Sequence, residues 1–512
     1  MPSLLLGIDI GTTGSKALLL EEDGAVRARA TSEYPMHTPQ PLWAEQEPQD
    51  WWSATVKSVQ AVLSAGSNPS SIAAVGLTGQ MHGLVLLDAR GASLRRCIMW
   101  NDQRTARECA DITREVTLPR LLRLTGNPVL PGFTAPKILW VRKNEPELYR
   151  RIRKILLPKD YVRFRLTGAY AGDVSDCSGT SLFDVGRRQW SRDMLEALGI
   201  PGSWLPDVFE SSEVSGTLSP EAARLTGLPE GLPVVAGAGD QAAQAIGTGI
   251  VREGTVSATI GTSGVVFAAS SSYRIEPEGR LHAFCHAVPG TWHLMGVMLS
   301  AGGSVRWYRD TLGREEIAQA ASEGRDPYEL LIQEAAAVPA GAEGLLFLPY
   351  LTGERTPYPN PHARGVMFGL TVRHTKPHLT RAVLEGVTYG LRDSLSLMRG
   401  LGIAPHQVRA SGGGARSPVW RQIMADIFGT EITTVNSEEG AAYGAGLLAG
   451  VGAGLYRDAA QACTRTVRET ESCTPGPNTL HYEKLYPRYR ALYAALEREF
   501  EAMALTVAAR TA

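Results

Sequence analysis

The feature that most constrains this 512-residue sequence is a motif that occurs twice, about half a chain apart. Near the start, an apolar run from Leu4 to Ile10 leads into Gly11-Thr12-Thr13-Gly14 and then a second apolar run. The same order of strand, Gly-Thr turn and strand returns between Thr255 and Ala269. Each copy predicts a β-hairpin. A repeat of this length is not that of a solenoid and predicts a duplicated domain whose two copies face one another across a cleft.

The two turns have a composition that suits phosphate binding. Glycine lets the backbone approach a phosphate closely, while Thr hydroxyls and free N–H groups donate hydrogen bonds. An ordinary hairpin turn explains either copy alone, but the matched positions of the two copies favour a function. The spacings of a P-loop and of a Rossmann fingerprint are absent. The candidate nucleotide contacts at these turns are Gly11, Thr12, Thr13, Lys16, Gly261 and Thr262.

A third glycine cluster, Gly412-Gly413-Gly414, follows the strand-like segment 407–410. Ser417 as N-cap and Pro418 as the first helical residue predict a helix that runs to Phe428. Glycines without side chains would let an adenine or a ribose lie against the backbone. A simple strand-to-helix turn explains the triplet equally well.

Composition and charge exclude several classes of protein. The hydrophobic content of 44% and the charged content of 20% are those of a folded chain, and the length predicts two or more domains. A net charge of -1 and the lack of a basic stripe argue against nucleic-acid binding. The apolar run from Ala441 to Leu455 is too short and too rich in glycine to span a membrane. With no basic segment before the first strand, we expect a cytoplasmic protein.

Two carboxylates stand where predicted strands end. Asp240 follows an apolar strand and a run of small residues, and Asp9 lies near the end of the first strand. A kinase needs a base close to the hydroxyl that is phosphorylated and a carboxylate near the metal-bound phosphates. These two positions suit those roles, although Asp240 could instead cap the following helix, 241–246.

Two polar loops are candidates for a sugar pocket. Gln80, Met81 and His82 lie between two apolar runs, and Trp100 and Asp102 follow another. An aromatic face beside amide and charged groups is typical of a small-molecule site. For each loop, a purely structural role is an equal alternative.

The histidines and cysteine of the segment 282–293 include residue types that bind zinc. Pro289-Gly290 predicts the turn of a hairpin that carries them, and no HExxH or CxxC pair accompanies them. The six cysteines of the chain are scattered, which predicts reduced thiols rather than disulfides.

Taken together, these motifs and their order resemble those of the FGGY carbohydrate kinases over nearly the whole chain. The resemblance rests on the following segments: Gly7 to Thr13, Gly79 to Gly83, Gly132 to Lys137 with Trp140, Leu157 to Tyr161, Gly239-Asp240, Gly261 to Gly264, Gly353 to Pro357 and Gly412 to Arg416. It implies two actin-like, ribonuclease-H-like α/β domains with a cleft between them. We expect the domains at residues 1–247, mainly for sugar, and 248–512, mainly for ATP.

The resemblance also implies roles for individual residues. Asp240 would be the general base, and Asp9 would help to hold Mg2+. The Gly-Thr turns would bind the phosphates of ATP, and the glycine triplet would receive its adenosine. The residues expected at the sugar are Gln80, Met81, His82, Trp100, Asp102 and Gln241. The chain departs from the family pattern at Gln241 and Gln244, where Asn and Gly are common, and Gln241 could change the sugar preference.

The expected reaction is the ATP-dependent phosphorylation of D-xylulose, with the two domains closing to exclude water. Expected partners are the sugar and ATP. The sequence leaves open whether the chain forms a homodimer. Three alternatives remain from the residues: a related kinase for ribulose, gluconate or another polyol, a non-catalytic actin-like sugar sensor or filament protein, and a metal-dependent hydrolase that uses the histidine cluster.

Overall fold

The computed structural model describes residues 3–65, 68–437 and 439–511, with side chains up to residue 507. The first half of the chain contains the strands β1 (Leu4–Ile10), β2 (Gly14–Glu21), β3 (Val26–Glu33), β4 (Glu45–Gln46), β5 (Ile72–Gly79), β6 (Val85–Leu87), β7 (Cys97–Ile98), β8 (Lys154–Leu156), β9 (Ala171–Asp173), β10 (Phe183–Asp184), β11 (Gln189–Trp190), β12 (Asp207–Phe209), β13 (Val214–Thr217), β14 (Pro233–Val235) and β15 (Ala238–Gly239). Its helices are α1 (Pro48–Ser64), α2 (Ala106–Val116), α3 (Leu118–Thr125), α4 (Thr134–Asn144), α5 (Pro146–Arg151), α6 (Pro158–Thr167), α7 (Val174–Cys177), α8 (Arg192–Leu198), α9 (Pro220–Thr226) and α10 (Asp240–Gly247).

The second half contains the strands β16 (Thr255–Ile260), β17 (Gly264–Ser270), β18 (His282–Cys285), β19 (Trp292–Met298), β20 (Leu346–Leu348), β21 (Val366–Phe368), β22 (Gln407–Ser411), β23 (Glu431–Val435) and β24 (Glu469–Cys473). Its helices are α11 (Gly302–Leu312), α12 (Arg314–Glu323), α13 (Pro327–Ala336), α14 (Lys376–Gly400), α15 (Pro418–Phe428), α16 (Gly440–Gly452), α17 (Ala459–Thr466) and α18 (Thr479–Thr511). No described helix is both long enough and apolar enough to cross a bilayer.

The two large sheets have the same strand order. The first sheet runs β3-β2-β1-β5-β14-β13, and the corresponding part of the second runs β19-β17-β16-β22-β23-β24, with β18 added at one edge. In both sheets the first three of these strands are antiparallel, the next two continue parallel to the third, and the last is antiparallel again. The predicted duplication and the predicted two-domain α/β class are therefore confirmed.

Local predictions are also confirmed. Both Gly-Thr segments connect antiparallel strands, β1 with β2 and β16 with β17. The helix predicted from Pro418 to Phe428 is α15, and the side chain of Ser417 caps it by accepting the N–H of Trp420.

Helices α10 and α16 follow corresponding strands of the two sheets and join the halves. α16 belongs to the second half of the chain but packs on β1 and β5 of the first sheet. α10 belongs to the first half but reaches the second sheet, where Ala245 packs against Phe267 of β17. The two helices also pack against each other. The second half thus supplies a helix that covers the first sheet, whereas α10 packs mainly on α16 and touches the second sheet through Ala245.

Glycines allow this packing. A Cβ atom built on Gly76 would lie 1.9 Å from the carbonyl oxygen of Ala445, and one on Gly7 would lie 2.1 Å from that of Ala442. Between the helices, a Cβ on Gly444 would lie 1.9 Å from the carbonyl oxygen of Ala243. Any side chain at these positions would force the backbones apart. The Gly-rich run that is too short for a membrane is therefore a buried helix in direct backbone contact with its neighbours.

We expect Gly76→Ala to destabilise the protein, because a methyl group has no room between β5 and α16. Overpacking of this kind costs about 1–3 kcal/mol. The control is Gly400→Ala, where a Cβ would have nothing within 4 Å. Denaturant-induced unfolding, followed by circular dichroism, should show a lower midpoint for Gly76→Ala and an unchanged or higher one for Gly400→Ala. Equal midpoints for the two variants would contradict the close packing.

Candidate functional site

The two candidate carboxylates lie at the same edge of the first sheet. In the parallel pairs, Asp9 of β1 is opposite Thr78 of β5, and Ala238 of β15 is opposite the same Thr78. Asp9 and Ala238 are thus two strand spacings apart, about 10 Å. Asp240 follows two residues later as the first residue of α10, while Gly239 holds the N-cap position. The first half therefore brings Asp9 and Asp240 to one wall of the cleft.

Burial changes the ionisation of both carboxylates. Loss of solvent, with a smaller contribution from the Asp240 charge, raises the pKa of Asp9 to about 7. Burial also raises the pKa of Asp240 to about 6, although its carboxylate accepts the backbone N–H of Gln241 at 2.7 Å. Oδ1 of Asp9 is buried and has no hydrogen-bond partner. A carboxylate oxygen left in this way is suited to a cation.

The first Gly-Thr turn is held by a buried glutamine. Nε2 of Gln46 donates to the carbonyl oxygen of Thr12 at 2.7 Å, and its Oε1 accepts Nε1 of Trp51 and Nε2 of Gln80, both at 3.0 Å. Nε1 of Trp100 donates to Oγ1 of Thr12 at 3.1 Å. Gln80 and Trp100, predicted as sugar contacts, thus lie directly beside the turn predicted to bind phosphate.

Lys16 and Thr13 differ in their surroundings. Thr13 is exposed at the turn, whereas Nζ of Lys16 lies 2.8 Å from Oε2 of Glu439. Glu439 precedes α16 and also pairs with Arg29 at 2.5 Å. The first turn is therefore joined to the second half by a partly exposed charge cluster.

The second turn and the glycine triplet form one surface. A Cβ on Gly412, whose φ is +82°, would lie 2.5 Å from the carbonyl oxygen of Ile260, the residue before Gly261. A Cβ on Gly414 would lie 2.7 Å from the Ile260 side chain, whereas one on Gly413 would have nothing within 4 Å. Gly261 and Thr262 are exposed and accept the N–H groups of Gly302 and Gly303 at the start of α11. Gly413 therefore presents bare backbone to open space.

Gln244 connects this surface to Asp240. Its Nε2 donates to Oγ1 of Thr259 at 3.0 Å, and Thr259 hydrogen-bonds Ser411 at 2.9 Å. Because Gln244 lies about one helical turn after Asp240 on α10, roughly 6 Å along the axis, the predicted base and the predicted nucleotide surface are close to one another. Gln241, the other residue singled out on α10, is partly buried beside Asp240.

The His82 loop forms an apolar wall of the pocket. Met81 clusters with Phe133 and, from the second half, with Phe284 and Met295. His82 has a φ of +70°, its ring stacks on Phe133 with centroids 4.6 Å apart, and its Nδ1 lies 2.7 Å from the carbonyl oxygen of Gly179. Burial lowers the pKa of His82 to about 3, so the ring is neutral.

Asp102 differs from the other predicted sugar contacts. Its carboxylate is fully buried and accepts the N–H of Ala44 at 2.6 Å, and it pairs with the guanidinium of Arg104 at 2.7 Å. Arg104 in turn stacks on Trp43 with 3.6 Å between its Cζ and the ring centroid. These contacts hold the loop that carries Trp100 and leave no Asp102 oxygen facing the cleft.

The histidine cluster is part of the second half's core. The hairpin predicted around Pro289-Gly290 is present as β18 and β19. His282 hydrogen-bonds Asn127 at 3.2 Å, His286 lies 2.9 Å from the carbonyl oxygen of Ile250, and His293 stacks on Phe267. Within the described ranges, no three His, Cys, Asp or Glu residues are grouped so as to hold a metal ion.

Sequence reasoning gave no role to a set of buried polar residues behind the site. Lys137 donates to the carbonyl oxygens of His82 and Gly132 at 2.9 and 2.7 Å. Lys159 lies among three carboxylates under the strand ends. The motifs Gly132 to Lys137 and Leu157 to Tyr161 were visible in the sequence, but their chemistry depends on partners far along the chain.

Comparison with known proteins identifies the class. The model of the N-terminal domain of the FGGY family of carbohydrate kinases matches residues 4–247, and the model of its C-terminal domain matches residues 256–453. The chain belongs to this family and is a carbohydrate kinase, which implies the use of ATP.

Individual relatives are similar over nearly their full length. The xylulose kinase of Escherichia coli is 42% identical over 96% of this chain and 99% of that protein. The gluconokinase of Bacillus subtilis is 33% identical over 98% of each. Among solved structures, a xyloylose kinase from Brucella ovis is 40% identical, covers 97% of this chain and 99% of its own, and superposes with a TM-score of 0.88.

We expect Gln46→Ala to lower the free energy of unfolding by about 1–3 kcal/mol, because the buried side chains of Trp51 and Gln80 then lose their acceptor. The control is Gln49→Ala, because Gln49 is an exposed glutamine in the first turn of α1, three residues after Gln46. Thermal unfolding of the two variants and the parent provides the measurement. An equal melting temperature in Gln46→Ala and Gln49→Ala would contradict the role of Gln46 as the support of the turn.

Proposed function

We propose that this chain transfers the terminal phosphoryl group of ATP to D-xylulose, giving D-xylulose 5-phosphate and ADP. The observation that carries the proposal is the half-buried Asp240 carboxylate at the start of α10, whose pKa is raised by desolvation to about 6. A base with this pKa is ionised at neutral pH and can still accept a proton. The similarity to the E. coli xylulose kinase supports a ketopentose as the sugar.

In the proposed reaction, the terminal hydroxyl of the sugar lies against Asp240. The Asp240 carboxylate accepts the hydroxyl proton as the oxygen attacks the phosphoryl group. Gln80, Met81, His82, Trp100 and Gln241 surround the sugar, and Asp102 supports the loop that carries Trp100. Because Nδ1 of the neutral His82 ring donates to the carbonyl oxygen of Gly179, its Nε2 can only accept a hydrogen bond, and the ring adds no positive charge to the pocket.

ATP would lie between the two Gly-Thr turns, with its phosphates at Gly11, Thr12 and Thr13 on one side and Gly261 and Thr262 on the other. Lys16 would offer a positive charge at the first turn. Gly412, Gly413 and Gly414 would receive the adenosine, a proposal supported by the open space above Gly413.

Mg2+ is proposed as the metal. The free Oδ1 of Asp9 fits a cation, since burial without a partner leaves it an acceptor with no donor. When bound, Mg2+ would neutralise charge on the phosphates. Asp9, ionised by that charge, would help to hold it.

We also propose the division of the chain into residues 1–247, mainly for sugar and the base, and 248–512, mainly for ATP. The spans of the two family models support it. The packing of Phe284 and Met295 against Met81 adds a contribution of the second half to the sugar pocket.

The decisive experiment is ADP release by the purified protein with D-xylulose, D-ribulose, gluconate or glycerol. We expect D-xylulose to have the highest kcat/KM. The similarity to a gluconokinase makes gluconate the main competitor. If gluconate or ribulose is preferred, the assignment of D-xylulose as the substrate is wrong, but the assignment of the chain as a sugar kinase stands. If no sugar stimulates ADP release, a non-catalytic sensor is the better interpretation.

We expect Asp240→Asn to lower kcat by about 10²- to 10⁴-fold, the usual contribution of a positioned base. In the parent, kcat/KM should fall tenfold per pH unit below about pH 6 and level off above it, because only the ionised carboxylate accepts a proton. The matched control is Asp393→Asn in α14, a buried carboxylate whose pKa is also raised, to about 7, but which accepts a hydrogen bond from Tyr486 of α18. It should retain the parent's turnover and pH profile. A comparable loss in both variants would refute the assignment of the base.

We expect Gly413→Ala to raise KM for ATP about tenfold or more while leaving the melting temperature unchanged, because the added methyl group would occupy space that the adenosine needs. Gly412→Ala should instead lower the melting temperature, since its φ is +82° and its Cβ would meet the Ile260 backbone. Initial-rate kinetics at varied ATP, beside thermal unfolding, distinguish the two effects. An unchanged KM in Gly413→Ala would place the adenosine elsewhere.

A further inference from the structure

A buried segment behind the pocket, residues 173–180, touches three functional parts of the molecule at once. Oγ of Ser175 accepts the N–H of Gly239, the residue before Asp240, at 3.1 Å. The carbonyl oxygen of Gly179 lies 2.7 Å from Nδ1 of His82. Oγ of Ser178 accepts the N–H of Cys285 in the second half at 3.0 Å. All eight residues of the segment are buried.

The segment is anchored by the carboxylate of Asp173. Its Oδ2 accepts the N–H and the hydroxyl of Ser175 at 2.8 and 2.5 Å, and the hydroxyl of Ser211 at 3.2 Å. Its Oδ1 lies 2.7 Å from Nζ of Lys159. Ser175 therefore donates to a fixed anion and accepts from Gly239, so its hydroxyl has one allowed orientation.

Lys159 is held just as firmly. Its Nζ lies 2.5 Å from Asp160 and 3.3 Å from Asp176, and Asp160 also pairs with Arg163. The side chains of all these residues are completely buried. A buried ion cluster of this kind is weak evidence for stability, because the cost of desolvation offsets the attraction. Such a cluster does, however, fix the geometry of the groups it holds.

Gly239 is a position where small shifts matter. It ends β15, precedes the base directly, and a Cβ on it would lie 3.0 Å from the side chain of Met81. A displacement of its backbone would move the Asp240 carboxylate relative to the sugar hydroxyl. A misplacement of about 1 Å can cost about 10²-fold in rate.

We propose that Ser175 is a positioning residue: its hydroxyl fixes the backbone of Gly239, and through it the Asp240 carboxylate, while Asp173 and Lys159 hold Ser175 in place. This inference rests on the proposed function of Asp240 as the base. Ser175 makes no contact with the reacting atoms, so it acts on the rate of proton transfer and not on the binding of the sugar.

The test compares Ser175→Ala with Ser211→Ala. Both changes remove a buried hydroxyl that donates to the same Asp173 oxygen, but only Ser175 also accepts the N–H of Gly239. We expect Ser175→Ala to lower kcat about 10- to 100-fold while KM for D-xylulose changes less than about threefold. Ser211→Ala should keep kcat within about twofold of the parent.

Ser175→Cys is a second variant, which keeps the side chain's volume but offers sulfur, a weak acceptor. It should show the same loss of kcat, and it serves if Ser175→Ala does not fold. Equal kcat in the Ser175 and Ser211 variants, or a rise in KM at unchanged kcat, would overturn the inference. Asp240→Asn is measured alongside these variants. If it retains activity, the assignment of Asp240 as the base has failed. If only Asp240→Asn loses activity, Asp240 remains the base and Ser175 has no positioning role.

Discussion

The backbone contact between helix α16 and the first sheet is the constraint on which the rest of the structure depends. At Gly7, Gly76 and Gly444, atoms of neighbouring backbones lie where a Cβ would stand. This closeness brings α16 against α10, and α10 begins with Asp240. Widening the gap by a methyl group would therefore displace the base as well as the helix. The order of the pocket depends on residues that carry no functional group.

The site built on this contact withdraws its titratable groups from solvent. Burial raises the pKa values of Asp9 and Asp240 and lowers that of His82, so each group is pushed towards its neutral form. Lys16, the cation beside the first turn, is already paired with Glu439. Electrostatic interactions in such surroundings are stronger than in water. Substrates that bring both negative and positive charge, such as a metal-bound polyphosphate, suit a site of this kind.

Local patterns in the sequence predicted a large part of this arrangement. The two hairpins, helix α15 with its Ser417 cap, and the position of Asp240 at the end of a strand all follow from short-range rules of turns and caps. The duplication was visible because its two turns kept nearly the same residues. The glycine triplet was visible as three consecutive glycines between a strand and a capped helix, although its exposure was not.

Other features depend on contacts that no local pattern contains. The sequence alone excluded the run 441–455 as a membrane span. It could not show that this run packs on the first sheet, because that contact depends on Gly76, more than 360 residues before Gly440 in the chain. Asp102 belongs to a polar loop, and only its contacts with Ala44 and Arg104 show that its carboxylate faces inwards. Nothing in the sequence indicated a role for Ser175, because that role depends on its hydrogen bonds to Asp173 and Gly239 in the folded protein.

The packing of α16 on the sheet of the other half has a consequence for how the chain can be divided. The spans of the two family models suggest a domain boundary near residue 250. A fragment ending at that point would keep α10 but lose α16, and would leave the face of β1 and β5 uncovered. The complementary fragment would present α16 with no sheet to receive it. Such a cut would separate α16 from the strands that it covers, so the boundary in the family models does not divide the packing of the protein into two self-contained cores.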